Sequence, residues 1–136
     1  MSSYRFENWV IIKFNSADPH YRVLGGRSGS YLDGSSWRMN SGVTSVESRI
    51  DHYVSQGKRK EFLLYEFYGA SGSCYTCNKE SYGLKMNNAH VWNELEEIYG
   101  DKVELMDEDT DWLNMDWLIK AYYYGFQYPI SPVVGL

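Results

Sequence analysis

The chain has 136 residues and a formal net charge of −5. That length is most simply one domain, able to bury roughly two-thirds of its unfolded surface around a single core. No run approaches the ~18 apolar residues of a membrane span, and the start lacks the regions of a secretory signal. The expectation is therefore a soluble, cytoplasmic protein that does not engage a membrane.

Aromatic residues are abundant, with 13 tyrosines and 5 tryptophans, and serve equally a small β core and a binding face. The charge is unevenly split. Residues 1–60 hold nine Lys/Arg against five Asp/Glu, residues 61–120 four against thirteen, and most of the negative charge falls between Glu94 and Asp116.

In chain order, Tyr4 to Phe14 predicts a first strand, too continuously apolar to be covered on one face alone. Asn15 to Pro19 breaks it and His20 to Leu24 makes a second. Gly25 ends that strand, and Ser28-Gly29-Ser30 returns the chain to Tyr31. The same pattern recurs at Gly69, Ser71-Gly72-Ser73 and Tyr75, so a β-hairpin is expected twice. Asp33-Gly34 suits a tight bend. Trp37 to Met39 and Val43 to Ile50 predict strands, Ser55 to Lys60 a hairpin tip with three consecutive cations, and Glu61 to Tyr68 the most hydrophobic strand.

From Asn87 the period changes. Asn87 or Asn88 caps a helix with Val91, Leu95, Ile98 and Tyr99 inward and Glu94, Glu96 and Glu97 outward, ending at Gly100. Lys102 to Met106 predicts a short strand. Asp109 or Thr110 caps a second helix, with Leu113, Trp117, Ala121 and Tyr124 on one stripe and Gly125 at its end. Pro129 and Pro132 keep residues 126–136 extended. The fold class is α+β in one domain: a small antiparallel β-barrel or sandwich over about 4–80, two helices within about 87–125, and an apolar tail. The tail covers the protein's own sheet, a second copy in a homodimer, or a partner.

Few constellations carry chemistry. Cys74-Tyr-Thr-Cys77 lacks the further ligands of a zinc site, and an extended segment places the two thiols on opposite faces. Asp107-Glu108-Asp109-Thr110-Asp111 imitates a calcium loop but has Trp112 where that loop needs glycine. His20, His52 and His90 have no evident nucleophile partner. No cofactor or metal is expected. A turn of successive N–H groups forms an anion-binding concavity, which makes Arg22, Arg27, Ser28, Ser30, Arg38, Ser71 and Ser73 candidate ligand-binding residues. Glu94, Glu97, Asp107, Glu108 and Asp109, with Tyr128 of the tail, are candidate partner-binding residues.

The order Glu7-Asn8-Trp9, Leu24-Gly25, Asp33-Gly34, Ser41-Gly42-Val43-Thr44-Ser45-Val46-Glu47 and Ser71-Gly72-Ser73-Cys74-Tyr75 resembles that of small, mostly uncharacterised proteins of phages and bacterial genomes. The resemblance covers residues 6–75 and implies a phage or prophage accessory protein, a context in which counter-defence roles are frequent. The leading expectation is a non-enzymatic inhibitor that docks on a host defence protein or complex through the acidic surface. The alternative is a binder that sequesters a small nucleotide signal, and the third is a hydrolytic enzyme.

Overall fold

The computed structural model describes residues 2–28 and 36–117. They form two four-stranded sheets and one α-helix. The first sheet runs in the order β1 (Ser3–Phe6), β7 (Cys74–Asn78), β6 (Lys58–Gly69), β5 (Val43–Ser55), and the second β4 (Ser36–Met39), β3 (His20–Arg27), β2 (Asn8–Phe14), β8 (Val103–Leu105). Neighbours are antiparallel except β1 and β7. The sheets do not close into a barrel, so of the two expected architectures the layered one is observed.

The single strand expected over residues 4–14 is two strands in different sheets. The chain leaves the first sheet at Phe6 and enters the second at Asn8, and between them the Glu7 N–H donates to the Gly26 carbonyl at 3.0 Å. The unbroken apolar run that follows reflects burial on both faces. Trp9 and Ile11 join Tyr65, Phe67, Tyr75 and Trp112 between the sheets, while Val10, Ile12 and Phe14 join Val91, Trp92 and Leu95 beneath the helix. The layers are therefore sheet, sheet, helix.

Gly25 and Gly26 do not end β3 as expected of Gly25. They lie within it because nothing larger fits: a Cβ on Gly25 would overlap the Phe6 ring, and one on Gly26 the Asn87 amide. Asn87 is thus a docking residue and not a helix cap. Its side chain and that of Asn8 bond reciprocally at 2.9 and 2.7 Å, pinning the helix start to β2. The second Ser-Gly-Ser turn does join two antiparallel strands, β6 and β7, with Gly72 at φ 90°. Residues 29–35, which include Ser30 and the Asp33-Gly34 bend, lie outside the described residues.

The helix α1 spans Met86–Tyr99 and stops at Gly100, whose φ of 58° suits glycine. Lys85 precedes it, and its N–H donates to Asn88 Oδ1 at 2.8 Å. Val91 and Leu95 face inward as expected, but Ile98 is 53% exposed and Trp92 takes the inward place.

The expected second helix is not formed over the residues described. After β8, Asp107 captures the chain: its carboxylate accepts the Asp109 N–H at 2.9 Å and its carbonyl the Thr110 hydroxyl at 2.6 Å. One 3₁₀ turn, Trp112–Asn114, follows, and the C-cap Met115 is extended. Trp112 and Trp117 are both buried. On an α-helix, residues five apart lie about 140° from one another, so a tight turn followed by extended chain brings both indoles to one core where a helix would not. Leu113, assigned to the helical stripe, is 48% exposed. The remainder of that expected helix, and the tail with Tyr128, fall outside the described residues. Among the described residues, no helix is long and apolar enough to cross a membrane.

Candidate functional site

Because the sheets remain open, edge strand β1 of the first faces edge strand β4 of the second across a gap. Arg38 of β4 bridges it, its guanidinium stacked 4.0 Å from the centre of the Tyr4 ring on β1. This contact divides the gap into two lobes. The smaller, of about 260 Å³, is lined by residues that include Tyr4, Arg22, Arg38, Asn40, Ser71, Ser73 and Tyr75. The wider, of about 580 Å³, continues along β1 and β4 past Arg5, Glu7, Arg27, Trp37 and Arg38.

The smaller lobe is rich in hydrogen-bond donors and, among the described residues, has no carboxylate in its lining. Asn40 follows β4 and extends its pairing: its N–H donates to the Val23 carbonyl at 3.2 Å, and its Oδ1 accepts the Val23 N–H at 2.9 Å. That bond fixes the amide orientation and leaves Nδ2 as the donor without a partner. Ser73 Oγ, at the end of the second Ser-Gly-Ser turn, is likewise buried without one. Both atoms flank Gly69, where a Cβ would come within 2.9 Å of Ser73 Oγ and 3.5 Å of Asn40 Nδ2. Leaving a buried polar group without a hydrogen bond costs about 1–3 kcal/mol, so two such groups side by side call for a partner.

Arg22 borders this lobe from behind. Its guanidinium lies over the Phe14 ring and donates from Nε to His20 Nε2 at 2.8 Å and from Nη1 to the Asn40 carbonyl at 3.4 Å. Arginine is always protonated and cannot accept, so His20 Nε2 is the acceptor and its proton sits on Nδ1, facing the Asp18 carbonyl at 3.2 Å. Burial, and then the Arg22 charge, push His20 down to about 3, and the Asp18 contact only partly opposes them. The imidazole is therefore neutral. Tyr75 is held as a phenol by burial, which raises it more than the nearby Arg38 lowers it.

In the wider lobe Glu7 is the counter-charge. Its carboxylate accepts the Ser28 N–H, and that bond, aided by the Arg27 and Lys85 charges, holds it below the usual range. Trp37, on β4, is partly exposed here and meets His90 edge-on at 6.4 Å.

Of the candidate ligand residues, Arg22, Arg38, Ser71 and Ser73 meet at the smaller lobe, Arg27 and Arg38 line the wider one, and Ser28 adjoins Arg27. Sequence reasoning missed Asn40, Tyr4 and Trp37. The turn signal Asn40-Ser41-Gly42 and the closing aromatic of the second hairpin, Tyr75, were the available hints. The candidate partner residues Glu94, Glu97, Asp107, Glu108 and Asp109 are all exposed, on α1 and on the turn after β8.

Cys74 and Cys77 are both free and buried. Burial raises both thiols, Cys77 strongly, which disfavours the reactive thiolate. Among the described residues no group of three or more His, Cys, Asp or Glu is placed to hold a metal ion. The chain matches no protein-family model and has no significant match among curated proteins or solved structures.

Proposed function

We propose that the protein is a non-enzymatic binder of a small phosphorylated ligand, a nucleotide by preference, held in the gap between β1 and β4. The observation that carries this reading is the smaller lobe. Arg38 together with two buried, unpartnered donors, Asn40 Nδ2 and Ser73 Oγ, borders it with no carboxylate among the described lining residues to satisfy them. A phosphate supplies several acceptor oxygens and negative charge, and bonds of this charge-assisted kind are about twice as strong as neutral ones. Arg22, 2% exposed, adds positive potential from behind. The partly exposed Trp37 in the wider lobe offers a ring on which a base can stack.

In the phage context that the resemblance implies, such a protein withdraws a nucleotide signal from a host defence system. A second reading, docking on a host protein, draws support from the exposure of Glu94, Glu97, Asp107, Glu108 and Asp109.

Calorimetric titration with pyrophosphate and with adenosine diphosphate tests the first reading. Both should bind, the nucleotide more tightly. Arg38→Gln should weaken both by roughly 10- to 100-fold, as expected for loss of a hydrogen bond to a charged group, with little change in stability. Absence of binding at millimolar probe, or equal affinity in Arg38→Gln, would contradict it.

A further inference from the structure

Strand β5 is the edge of the first sheet among the described residues, and its far half projects beyond the rest. β7 pairs with β6 only between Leu64 and Tyr68, so β5 and β6 continue from Ile50 to Leu63 as a two-stranded ribbon. An isolated ribbon of this kind is marginally stable in water. This one also exposes apolar residues: Ile50 is 61% exposed, Tyr53 54% and Val54 70%.

The turn determines which backbone groups are open. Gln56 and Gly57, at φ 53° and 75°, form a two-residue loop closed by Ser55 and Lys58. In such a hairpin the closing pair exchanges both hydrogen bonds, and bonded pairs then recur at every second residue. The odd-numbered residues of β5 therefore bond to β6, and the even-numbered ones present N–H and C=O outward. The His52 N–H shows this independently, since it donates to Asp51 Oδ1 at 2.8 Å and not to β6.

We infer that this edge pairs with β5 of a second copy of the chain, antiparallel about a two-fold axis through Ile50, joining the first sheets into one of eight strands. A two-fold axis perpendicular to a sheet sets residue i opposite j with i + j constant and even, so even-numbered residues face even-numbered ones wherever the axis lies, and the side chains choose the centre: an axis through Arg49 or Asp51 sets like charges against each other, and one through Tyr53 leaves Asp51 opposite Ser55. With Ile50 at the centre, Ile50 meets Ile50, Val46 meets Val54, and Arg49 meets Asp51 on both sides of the axis. Opposite charges and apolar pairs directly across strands are each favourable. Centring on Ser48 drives the pairing into the irregularity between Val43 and Ser45, and centring on His52 sets His52 against itself and leaves Arg49 opposite Ser55. Within one copy Asp51 accepts the His52 N–H and pairs with Arg49 at 3.4 Å; the pairing turns that N–H to the second copy's backbone and adds the second copy's Arg49. The inference does not depend on the ligand reading, and its failure would leave that reading untouched.

Light scattering on the eluting protein should give a mass of twice 15.9 kDa at micromolar concentration. His52→Pro removes an outward N–H without touching a bond to β6, so it should yield a folded monomer, with the dimer weakened by roughly 100-fold or more. Arg49→Asp should also dissociate the dimer by opposing two acids, and Arg49→Asp with Asp51→Arg should restore it. A monomeric parent overturns the inference. If its even-numbered β5 amides resist hydrogen exchange, another segment of the same chain covers the edge; if they exchange freely, nothing does. A dimer that survives His52→Pro overturns it as well.

Discussion

Replacing Trp9 with alanine should lower the unfolding free energy by ~3–5 kcal/mol, a large share of the ~5–15 kcal/mol that holds a domain of this kind together. Trp9 is 1% exposed and stands where the layers meet. Its ring contacts Tyr65, Phe67, Tyr82 and Trp112, drawn from β6, from the segment before the helix and from the 3₁₀ turn after β8. Its indole N–H donates to the Asn78 carbonyl at 2.7 Å, so truncation both opens a cavity and orphans an acceptor. Trp37→Ala is the control: on the edge strand and only partly buried, it should lose about 1–2 kcal/mol, nearer the average for single substitutions. Denaturant titration of the two variants separates the outcomes. Equal losses would mean that Trp9 is not the centre of the inter-sheet core.

The second large effect is a loss of stability in mild acid. His20 has an ordinary value of 6.5 when unfolded and about 3 when folded. Between those values the unfolded chain binds a proton that the folded chain refuses, so stability is fully present above about pH 6.5 and falls as pH drops. From pH 6.5 to 5.0 the loss from this group alone is about 1.6 kcal/mol. Most carboxylates titrate lower, so this window isolates the histidine. His20→Gln retains an acceptor for Arg22 Nε without a titrating ring and should flatten the profile there. If the parent and His20→Gln have parallel profiles, His20 is not held neutral by its burial and the Arg22 charge.

Much of the fold was legible because hydrophobic pattern and turn chemistry agree. The Gln56–Gly57 tip, the β6–β7 turn, the helix stop at Gly100 and the short strand within Lys102 to Met106 all follow from local signals. What sequence could not supply was which sheet each segment joins. The run from Tyr4 to Phe14 reads as one strand because nothing in its composition marks the crossing at Glu7. Gly25 reads as a terminator because its true reason, the Phe6 ring pressing on β3, is a tertiary contact. The stripe at Leu113 and Trp117 has helical spacing, but burial of Trp112 beside Trp117 overrides it.

The candidate site was half legible for the same reason. Arg22, Arg38, Ser71 and Ser73 were grouped by their nearness to two similar turns, and these four residues do line one lobe of the gap. Asn40, whose free amide group gives the lobe its unmet donor, looks in sequence like an ordinary turn residue. Its importance comes from Val23 occupying the other end of its side chain, a partner 17 residues away.

The most direct test of the ligand reading is the side-chain amide of Asn40, followed by nitrogen–proton NMR while pyrophosphate is added. The account predicts a saturable shift of the Asn40 Nδ2 protons together with the Ser71, Gly72 and Ser73 amides, and loss of that response in Arg38→Gln. Shifts confined to the Lys58–Lys60 tip, with Asn40 unmoved at saturating pyrophosphate, would show that the anion is drawn to surface charge and that the gap between β1 and β4 is not its site.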